Sequence, residues 1–394
     1  MYIEERKRIK VVSEYDVAVC GGGFGGISAA MAAARGGKKV VLFEKGYVLG
    51  GLGTAGIVTI YLPLCDGMGH QVSYGIAEEL FRLSIKYGYE DEYPSNWLDG
   101  TGERNEASQR FRVQYNPHLF AIASEQLLLS LGVDIMYGTY AVGTEVSDGR
   151  ITHIITENKS GRQAYSVGSV IDATGDCDIA YLSGEKTREY GKNNKLAAWY
   201  YSDGKDGYKL RILNPKGEFS ENGVTQRYED QRFGGLDGKE ISDMVILSHK
   251  ATLEDVLKKR NEDSSIMPVN MTSIPQIRMS RCIEGAYSET YEDMHKYFED
   301  SVGMVGDWRK RGPVFEVPYR ILYGNNIKNL ITAGRCVSTD DALWDVMRVI
   351  PCCAVTGQAA GTAAAMTRDF ASLDVKELQA ALVRDGVVLH ETDL

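Results

Sequence analysis

The amino-acid sequence predicts an α/β fold in which a domain built on a parallel sheet, with a β-meander, carries a second, smaller α+β domain. Residues 16–44 read DVAVCGGGFGGISAAMAAARGGKKVVLFE, a strand, a glycine turn, a helix of small residues and a second strand in succession. Residues 185–324 are polar and weakly periodic, which is typical of a smaller mixed domain. At 394 residues the chain also exceeds the usual limit for one hydrophobic core.

The glycine turn near the N-terminus predicts a Rossmann-like dinucleotide site. Gly21, Gly23 and Gly26 have G-x-G-x-x-G spacing, and Glu44 ends the second strand 23 positions after the first glycine. Gly21 permits the tight turn, Gly23 lets the backbone approach a pyrophosphate, and Gly26 lets the helix pack closely on the strand. The helix N-terminus then faces phosphates, and a carboxylate at Glu44 can accept hydrogen bonds from a ribose. A tight turn without a ligand is the alternative.

The next segments predict an irregular loop and two helices. Residues 45–56 are too rich in glycine for regular structure. Residues 76–117 are predicted to begin as a helix and to continue as an acidic loop, an excursion from the main fold. Another helix is predicted from Pro117 to Gly132. Its apolar side is predicted to comprise Leu119, Ile122, Leu127 and Leu128.

A β-meander is predicted after this helix. Residues 133–137 form a short strand, and the alternating segments 140–146 and 151–157 are followed by a third strand. Residues 169–176 then end a strand in a glycine turn, and so do residues 329–335 further along. The last cofactor-like element is a helix of small residues over 351–366, which begins with a proline.

Composition and charge limit the possible partners. The formal charge of −10 and the pI near 5.3 argue against nucleic acid and anionic membranes, because both repel an acidic surface. Uncharged stretches at 17–34, 46–65 and 349–367 contain too much Gly, Pro, Thr or Gln to favour membrane spans. Seven cysteines without framework spacing and a charged start favour a cytoplasmic protein, and no metal-ligand spacing is present.

Three separated strands that end in glycine turns favour a cofactor longer than a nicotinamide dinucleotide. Four motifs carry a family resemblance: GGGFGG with EKGYVLGG, SVIDATGDCDIA, EVPYRILYGNNIKNLITAGRCVS and WDVMRVIPCCAVTGQAAGTAAA. On these the chain resembles the FAD-dependent oxidoreductase family of the glutathione-reductase-like flavoproteins. No second G-x-G-x-x-G is present, so no resident NAD(P)H domain is expected.

The resemblance implies a bound FAD. The first glycine turn would hold the pyrophosphate, Glu44 the adenosine ribose, the meander and the second glycine turn the adenine half, and the loop after Glu44 the flavin. The amides that open helix 351–366 would face the flavin N1–C2=O edge, where a helix dipole stabilises negative charge. Arg335 stands where many relatives have Asp, so its role stays open. The implied cofactor residues are Gly21, Gly23, Phe24, Gly25, Gly26, Glu44, Lys45, Gly50, Gly51, Thr54, Ala141, Val142, Ala173, Thr174, Gly175, Gly334, Arg335, Cys353, Ala354 and Gly357.

The resemblance also divides the chain into two domains. The expected FAD-binding domain is discontinuous and comprises residues 1–75, 118–185 and 325–394. The expected substrate or cap domain comprises residues 76–117 and 186–324.

The expected function is FAD-dependent hydride transfer between flavin N5 and a small polar substrate that carries a hydroxyl or an amine. A flavoprotein that uses FAD as a non-redox scaffold and a dinucleotide-binding sensor are the alternatives. The partner would be this small molecule, without nucleic acid or membrane, and the external electron acceptor or donor is not specified.

The candidate catalytic residues are His70 as a base, Arg348 as a substrate or flavin contact, and Asp341 as an acid or base. Each also has a plain structural interpretation: a surface-loop histidine, an ion-pair arginine and an acid that compensates a helix dipole. Arg278 and Arg281, in the segment IRMSRCIEGAYS, are further candidates to face the substrate from the second domain. Cys352 and Cys353 are interpreted as inert packing in preference to a redox pair, since they lack C-x-x-C spacing.

Overall fold

In the computed structural model, described for residue 3 and residues 6–68, 70–87, 112–213 and 231–394, strands and helices alternate along most of the chain. Much of the excursion predicted within 76–117 lies outside these residues. The strands are β1 (Lys10–Cys20), β2 (Val40–Phe43), β3 (Ile60–Tyr61), β4 (Val113–Gln114), β5 (Asp134–Met136), β6 (Tyr140–Ser147), β7 (Arg150–Asn158), β8 (Gly161–Asp172), β9 (Thr187–Glu189), β10 (Asn194–Lys195), β11 (Ala198–Asp203), β12 (Lys209–Leu213), β13 (Arg232–Phe233), β14 (Met267–Met271), β15 (Arg281–Ile283), β16 (Ser301–Gly306), β17 (Val314–Pro318) and β18 (Leu330–Thr332). The helices are α1 (Phe24–Arg35), α2 (Ile76–Ile85), α3 (Pro117–Ser130), α4 (Asp178–Ser183), α5 (Gly238–Arg260), α6 (Asp341–Met347), α7 (Ile350–Met366) and α8 (Val375–Arg384).

The main sheet confirms the predicted α/β class. Its order is β5-β2-β1-β8-β7-β6, and β18 pairs with the end of β8 that lies beyond β7. Strands β5, β2, β1, β8 and β18 are parallel, whereas β6 and β7 are antiparallel and form the predicted meander with β8. Strand β8 therefore belongs to both parts of the sheet.

Two strands are longer than predicted. Strand β1 starts at Lys10, before the segment 16–44 in which the sequence places it, because its first half continues beside β8 from the pair Lys10 and Gln163. The third meander strand and the strand before the second glycine turn are one strand, β8. Its burial increases toward Asp172, where it enters the middle of the sheet.

The prediction for the buried side of α3 was wrong at two positions. Leu119 and Ile122 are 41% and 58% exposed. The buried face instead carries Phe120, Ala121, Ser124 and Leu128. The ring of Phe120 stacks on the ring of Phe24 at a centroid distance of 4.6 Å, and this aromatic contact orients the helix.

Helices α1 and α7 cross at very close range. A Cβ atom at Gly357 would lie 2.3 Å from the carbonyl oxygen of Gly25, and one at Gly361 would lie 2.2 Å from that of Ala29. Only glycine fits at such contacts between backbones. The small residues of the predicted helix 351–366 therefore hold α7 against the helix that follows the first glycine turn.

The region after residue 185 includes a separate antiparallel sheet of β12, β11 and β14. Helix α5, capped by the carboxylate of Asp237, packs on it. Their shared core includes Tyr200, Phe233 and Met244, as expected for a smaller α+β unit. By contrast, Val302 and Phe315 pack in the same core as Val17 of the main sheet. The domain boundaries given above stay a prediction.

Among the described helices, none alone has the length and apolarity of a membrane span. Helices α6 and α7, which meet at a bend of 87°, pass that test only when taken together.

Candidate cofactor and active site

The three predicted glycine turns lie at one edge of the main sheet. Cys20, the last residue of β1, is in register with Asp172 of β8, and Thr332 of β18 is in register with the same Asp172. The chain continues from these three positions into the turns at Gly21, Gly175 and Gly334. In open α/β sheets, ligands bind beyond the carboxyl ends of the parallel strands. The turns thus form a common crevice edge.

The glycines of the first turn differ in what surrounds them. Gly21 has φ +104°, and a Cβ there would lie 2.3 Å from the carbonyl oxygen of Ala173. A Cβ at Gly26 would lie 1.8 Å from the oxygen of Gly21, whereas one at Gly25 would lie 3.0 Å from the nitrogen of Gly334. A Cβ at Gly23 would meet no atom within 4 Å. The turn is therefore closed on the protein side and open at Gly23.

The loop after Glu44 folds onto this open position. The nitrogen of Gly50 donates to the oxygen of Gly22 at 2.8 Å, and Gly23 and Gly50 form an isolated parallel bridge. Gly51 lies near the Cα of Gly23. The Thr54 hydroxyl donates to the oxygen of Leu49 at 2.5 Å and closes the loop internally. The predicted flavin-side loop and the predicted phosphate turn are thus adjacent.

Glu44 is buried at the end of β2 and holds two backbone segments. Its Oε2 accepts from the nitrogen of Gly22 at 2.8 Å, and its Oε1 accepts from the nitrogen of Gly46 at 2.6 Å. A carboxylate has about four acceptor positions, so others are left for a ligand hydroxyl. The carboxylate is therefore fixed beside the open glycine turn before any ligand binds.

The start of the meander lies beside Glu44. The backbone nitrogen of Thr139 donates to the backbone carbonyl oxygen of Glu44 at 3.0 Å. This contact brings the beginning of β6, with Ala141 and Val142, to the same end of the sheet. Lys45 is exposed, and its charge helps to lower the pKa of Asp176 after the second glycine turn. These predicted contacts of the adenosine half therefore surround one end of the crevice.

Arg335 donates hydrogen bonds to three protein groups. Its guanidinium donates to the carbonyl oxygens of Gly175 and Ile277 and to Asp176 Oδ1, the last at 2.8 Å. Burial opposes ionisation of Asp176, but Arg335 and then Ser280 outweigh it and lower the pKa of this carboxyl. Arg335 thus fixes the second glycine turn to the segment before β15.

The second turn is further held by its own side chains. The Thr174 hydroxyl donates to Asp172 Oδ1 at 2.7 Å, and Asp172 Oδ2 accepts from the nitrogens of Ile179 and Ala180 at 2.9 and 3.0 Å. Asp172, which the sequence analysis did not single out, anchors both the turn and the start of α4. The sequence signal available for it was its place at the end of β8.

The start of α7 meets the third turn. The nitrogen of Gly334 donates to the Thr356 hydroxyl at 2.9 Å, and Cys353 Sγ donates to the oxygen of Arg348 at 3.3 Å. Ala354 is fully buried. The ring of Phe24 is buried in the core, which leaves only its backbone for a ligand.

Burial raises the pKa of the Cys353 thiol to about 12 and that of Cys352 well above its ordinary value. Both groups are therefore protonated thiols at neutral pH. Such groups are poor nucleophiles, which favours the packing interpretation over a thiolate pair.

The three candidate catalytic residues are not joined by a hydrogen bond or an ion pair in the described structure. The His70 side chain is 61% exposed, and its Nδ1 lies 3.2 Å from Asp66 Oδ2. Asp341 begins α6, is 60% exposed and pairs with Arg188 at 3.3 Å. Arg348 caps the other end of α6, pairs with Asp345 and lies over the ring of Trp344.

Three residues outside the predicted cofactor and catalytic sets have buried polar atoms that form no hydrogen bond with the described residues. These atoms are Gln276 Oε1, Arg278 Nε and Nη2, and both carboxylate oxygens of Glu289. Gln276 Nε2 donates to the oxygen of Gly56 at 2.6 Å, so Gln276 borders the flavin-side loop. The sequence had pointed only to Arg278, through its segment. Nothing in the local pattern distinguishes Gln276 or Glu289 from surface residues.

Comparison with protein families identifies the chain. Residues 16–200 and 236–382 match the family described as FAD dependent oxidoreductase. The match covers most of the sequence. The chain belongs to this family. Its cofactor is FAD, and the protein is a flavin-dependent oxidoreductase enzyme.

Solved structures are similar to this FAD dependent oxidoreductase at low identity. A geranylgeranyl bacteriochlorophyll reductase-like protein from Thermoplasma acidophilum has a TM-score of 0.47 and 16% identity, over 95% of this chain and 84% of that one. The p-nitrophenol 4-monooxygenase of Pseudomonas putida has a TM-score of 0.47 and 12% identity, over 95% and 81%. The assignment rests on the family match, since these scores are below 0.5. No curated protein matches the sequence.

The crevice fits FAD by two observations. The position of Gly23 leaves room where a pyrophosphate must approach the backbone, and Glu44 is a fixed carboxylate next to it. Gly22 through Gly26 and Glu44 would hold the diphosphate and ribose. Among the described residues, no group of three or more His, Cys, Asp or Glu side chains is arranged to hold a metal ion.

Proposed function

We propose that this enzyme transfers a hydride between FAD and a small polar substrate that carries a hydroxyl or an amine. The arrangement of the glycine turns supports this proposal above other observations. Three strand ends in register place their glycine turns at one crevice, and the flavin-side loop 50–54 folds onto the first turn. When bound, FAD supplies a ring that accepts or donates a hydride at N5. The protein must then orient the substrate and move one proton.

In the proposal, helix α7 stabilises negative charge, His70 moves the proton, and residues of α6 orient the substrate. The first amides of α7 have no side-chain cap, so the positive end of the helix dipole is available to stabilise negative charge nearby. His70 takes or returns the proton. Asp66 accepts from its Nδ1, which leaves Nε2 as the basic nitrogen of the neutral ring. Arg348 and Asp341 are proposed to contact the substrate from the two ends of α6.

The proposal is tested by anaerobic reduction of the purified holoenzyme. The visible spectrum is followed during titration with polyols, hydroxy acids, amines and, separately, NAD(P)H. We expect one of the first three classes to bleach the flavin band at a rate that depends on its concentration. Bleaching by NAD(P)H alone would make the enzyme a reductase, and no bleaching by any class would favour the scaffold or sensor alternatives.

Replacement of Glu44 by alanine is expected to weaken FAD retention by about one to two orders of magnitude. A hydrogen bond to a charged group contributes about 1.5–3 kcal/mol, and the variant also leaves the amides of Gly22 and Gly46 without an acceptor. Flavin occupancy after gel filtration measures the effect. Glu79→Ala, at an exposed ion pair with Arg35, is the matched control. Unchanged occupancy in Glu44→Ala would remove Glu44 from the site.

A further inference from the structure

Arg278 has a guanidinium edge for which the described residues supply no acceptor. Its Nε and Nη2 are buried and form no hydrogen bond, and its only described side-chain contact is the face of Trp199, 5.4 Å from the ring centroid. Nε and Nη2 lie on one side of the guanidinium, where their N–H bonds run parallel. This edge matches the two oxygens of a carboxylate or two phosphoryl oxygens.

The charge of Arg278 is also poorly compensated. Burial and then repulsion from Arg348 lower the pKa of Arg278 to about 9. Asp345 opposes this shift, and Arg335 adds a smaller lowering effect. Arg335 and Arg348 themselves have carboxylate partners, Asp176 and Asp345. A buried cation without a partner is costly unless a ligand neutralises it.

Arg278 belongs to a segment that borders the cofactor crevice on two sides. Two residues before it, Gln276 donates to the oxygen of Gly56 at the end of the flavin-side loop. One residue before it, the oxygen of Ile277 accepts from Arg335 at the second glycine turn. Arg348, which repels Arg278, lies just before α7. The unpaired edge is therefore next to the elements that are proposed to meet the flavin.

We infer that Arg278 binds an anionic oxygen group of the substrate, a carboxylate or a phosphate, and so positions the substrate over the flavin. The inference rests on the proposed function and narrows its substrate class. The phosphates of FAD have hydrogen-bond donors of their own in the first glycine turn and at the start of α1. The anionic group that Arg278 binds is therefore supplied by the substrate. A hydroxy acid, an amino acid or a phosphorylated polyol combines this group with the proposed oxidisable carbon.

The test measures anion binding without turnover. The FAD-loaded protein is titrated with sodium acetate, sodium succinate and inorganic phosphate, each against sodium chloride of equal ionic strength, while the flavin absorption band is recorded. We expect a saturable spectral change with at least one carboxylate or with phosphate. In Arg278→Met the dissociation constant of that anion should rise about 10- to 100-fold, and in Arg278→Lys by less. Arg35→Met, which removes one exposed charge, is the matched control.

A second measurement separates a ligand-binding arginine from a structural one. Met fills a similar volume without a charge, so the FAD-free Arg278→Met protein should unfold at the same temperature as the wild type or a higher one. FAD content should also be unchanged. Lower stability, loss of FAD, or an absence of any saturable change in the wild type would each overturn the inference. Because no electron donor is used, this result is independent of whether the bleaching experiment succeeds.

Discussion

Replacement of Gly23 by alanine is expected to leave the FAD-free protein as stable as the wild type and to weaken FAD binding by about one to two orders of magnitude. Gly23 has φ −72° and ψ −177°, an extended conformation that alanine adopts without strain. Its Cβ would meet no atom of the residues that the structure describes within 4 Å. The added methyl would therefore contact only a ligand, and overfilling of a close contact costs about 1–3 kcal/mol.

Gly26→Ala is the comparison variant, because its added methyl would meet the protein itself. Its Cβ would lie 1.8 Å from the oxygen of Gly21, so the strand and the helix must separate even without a ligand. We expect a loss of about 3 kcal/mol in the free energy of unfolding of the FAD-free protein. Urea unfolding measures stability, and quenching of flavin fluorescence measures FAD affinity. Wild-type affinity in Gly23→Ala would show that the pyrophosphate does not approach this turn.

The fold around this turn was predictable because its elements follow one another closely in sequence. The strand, the three glycines, the helix and Glu44 lie within residues 16–44, and local spacing reports what each backbone position must do. The meander was readable for the same reason, since its strands are joined by short turns. The turns at residues 175 and 334 were predicted from the same local pattern, a strand that ends in glycine, and the family resemblance assigned all three turns to one cofactor.

Contacts between distant segments were not predictable from local spacing. Arg335 donates to Gly175, Asp176 and Ile277, so it braces the second glycine turn through contacts that its own sequence segment does not reveal. The helix at Pro117 shows the same limit. Its leucines suggest one buried side, but the partner ring of Phe24, nearly a hundred residues earlier, selects another.

Glu289→Gln is expected to stabilise the protein at neutral pH. Glu289 is fully buried, and neither of its carboxylate oxygens has a hydrogen-bond partner in the described part of the chain. Burial, followed by the charges of Asp293 and Asp340, raises the pKa of this carboxyl well above its ordinary value of 4.5. The folded protein therefore holds a proton that the unfolded chain releases. Gln resembles the protonated acid, so the variant folds without the free-energy cost of taking up a proton at neutral pH.

The sign of the pH dependence follows from the raised pKa. Below pH 4.5 the carboxyl is protonated in both states, so wild type and Glu289→Gln should have similar stability. As the pH rises from there toward the folded-state pKa, the wild type should lose about 1.4 kcal/mol per unit relative to the variant. Thermal unfolding of both proteins across this pH range measures the difference, and a difference that does not grow with pH would contradict the prediction.

Glu316→Gln shows why burial alone does not determine the outcome. Glu316 is also buried, but its Oε2 accepts from the nitrogen of Phe298 at 2.8 Å and its Oε1 from that of Glu391 at 3.2 Å, while His390 Nδ1 lies 2.9 Å from Oε2. Gln has one acceptor oxygen in place of two, so it cannot satisfy all of these groups. We therefore expect Glu316→Gln to lower the free energy of unfolding by about 1–3 kcal/mol at neutral pH, where Glu289→Gln raises it.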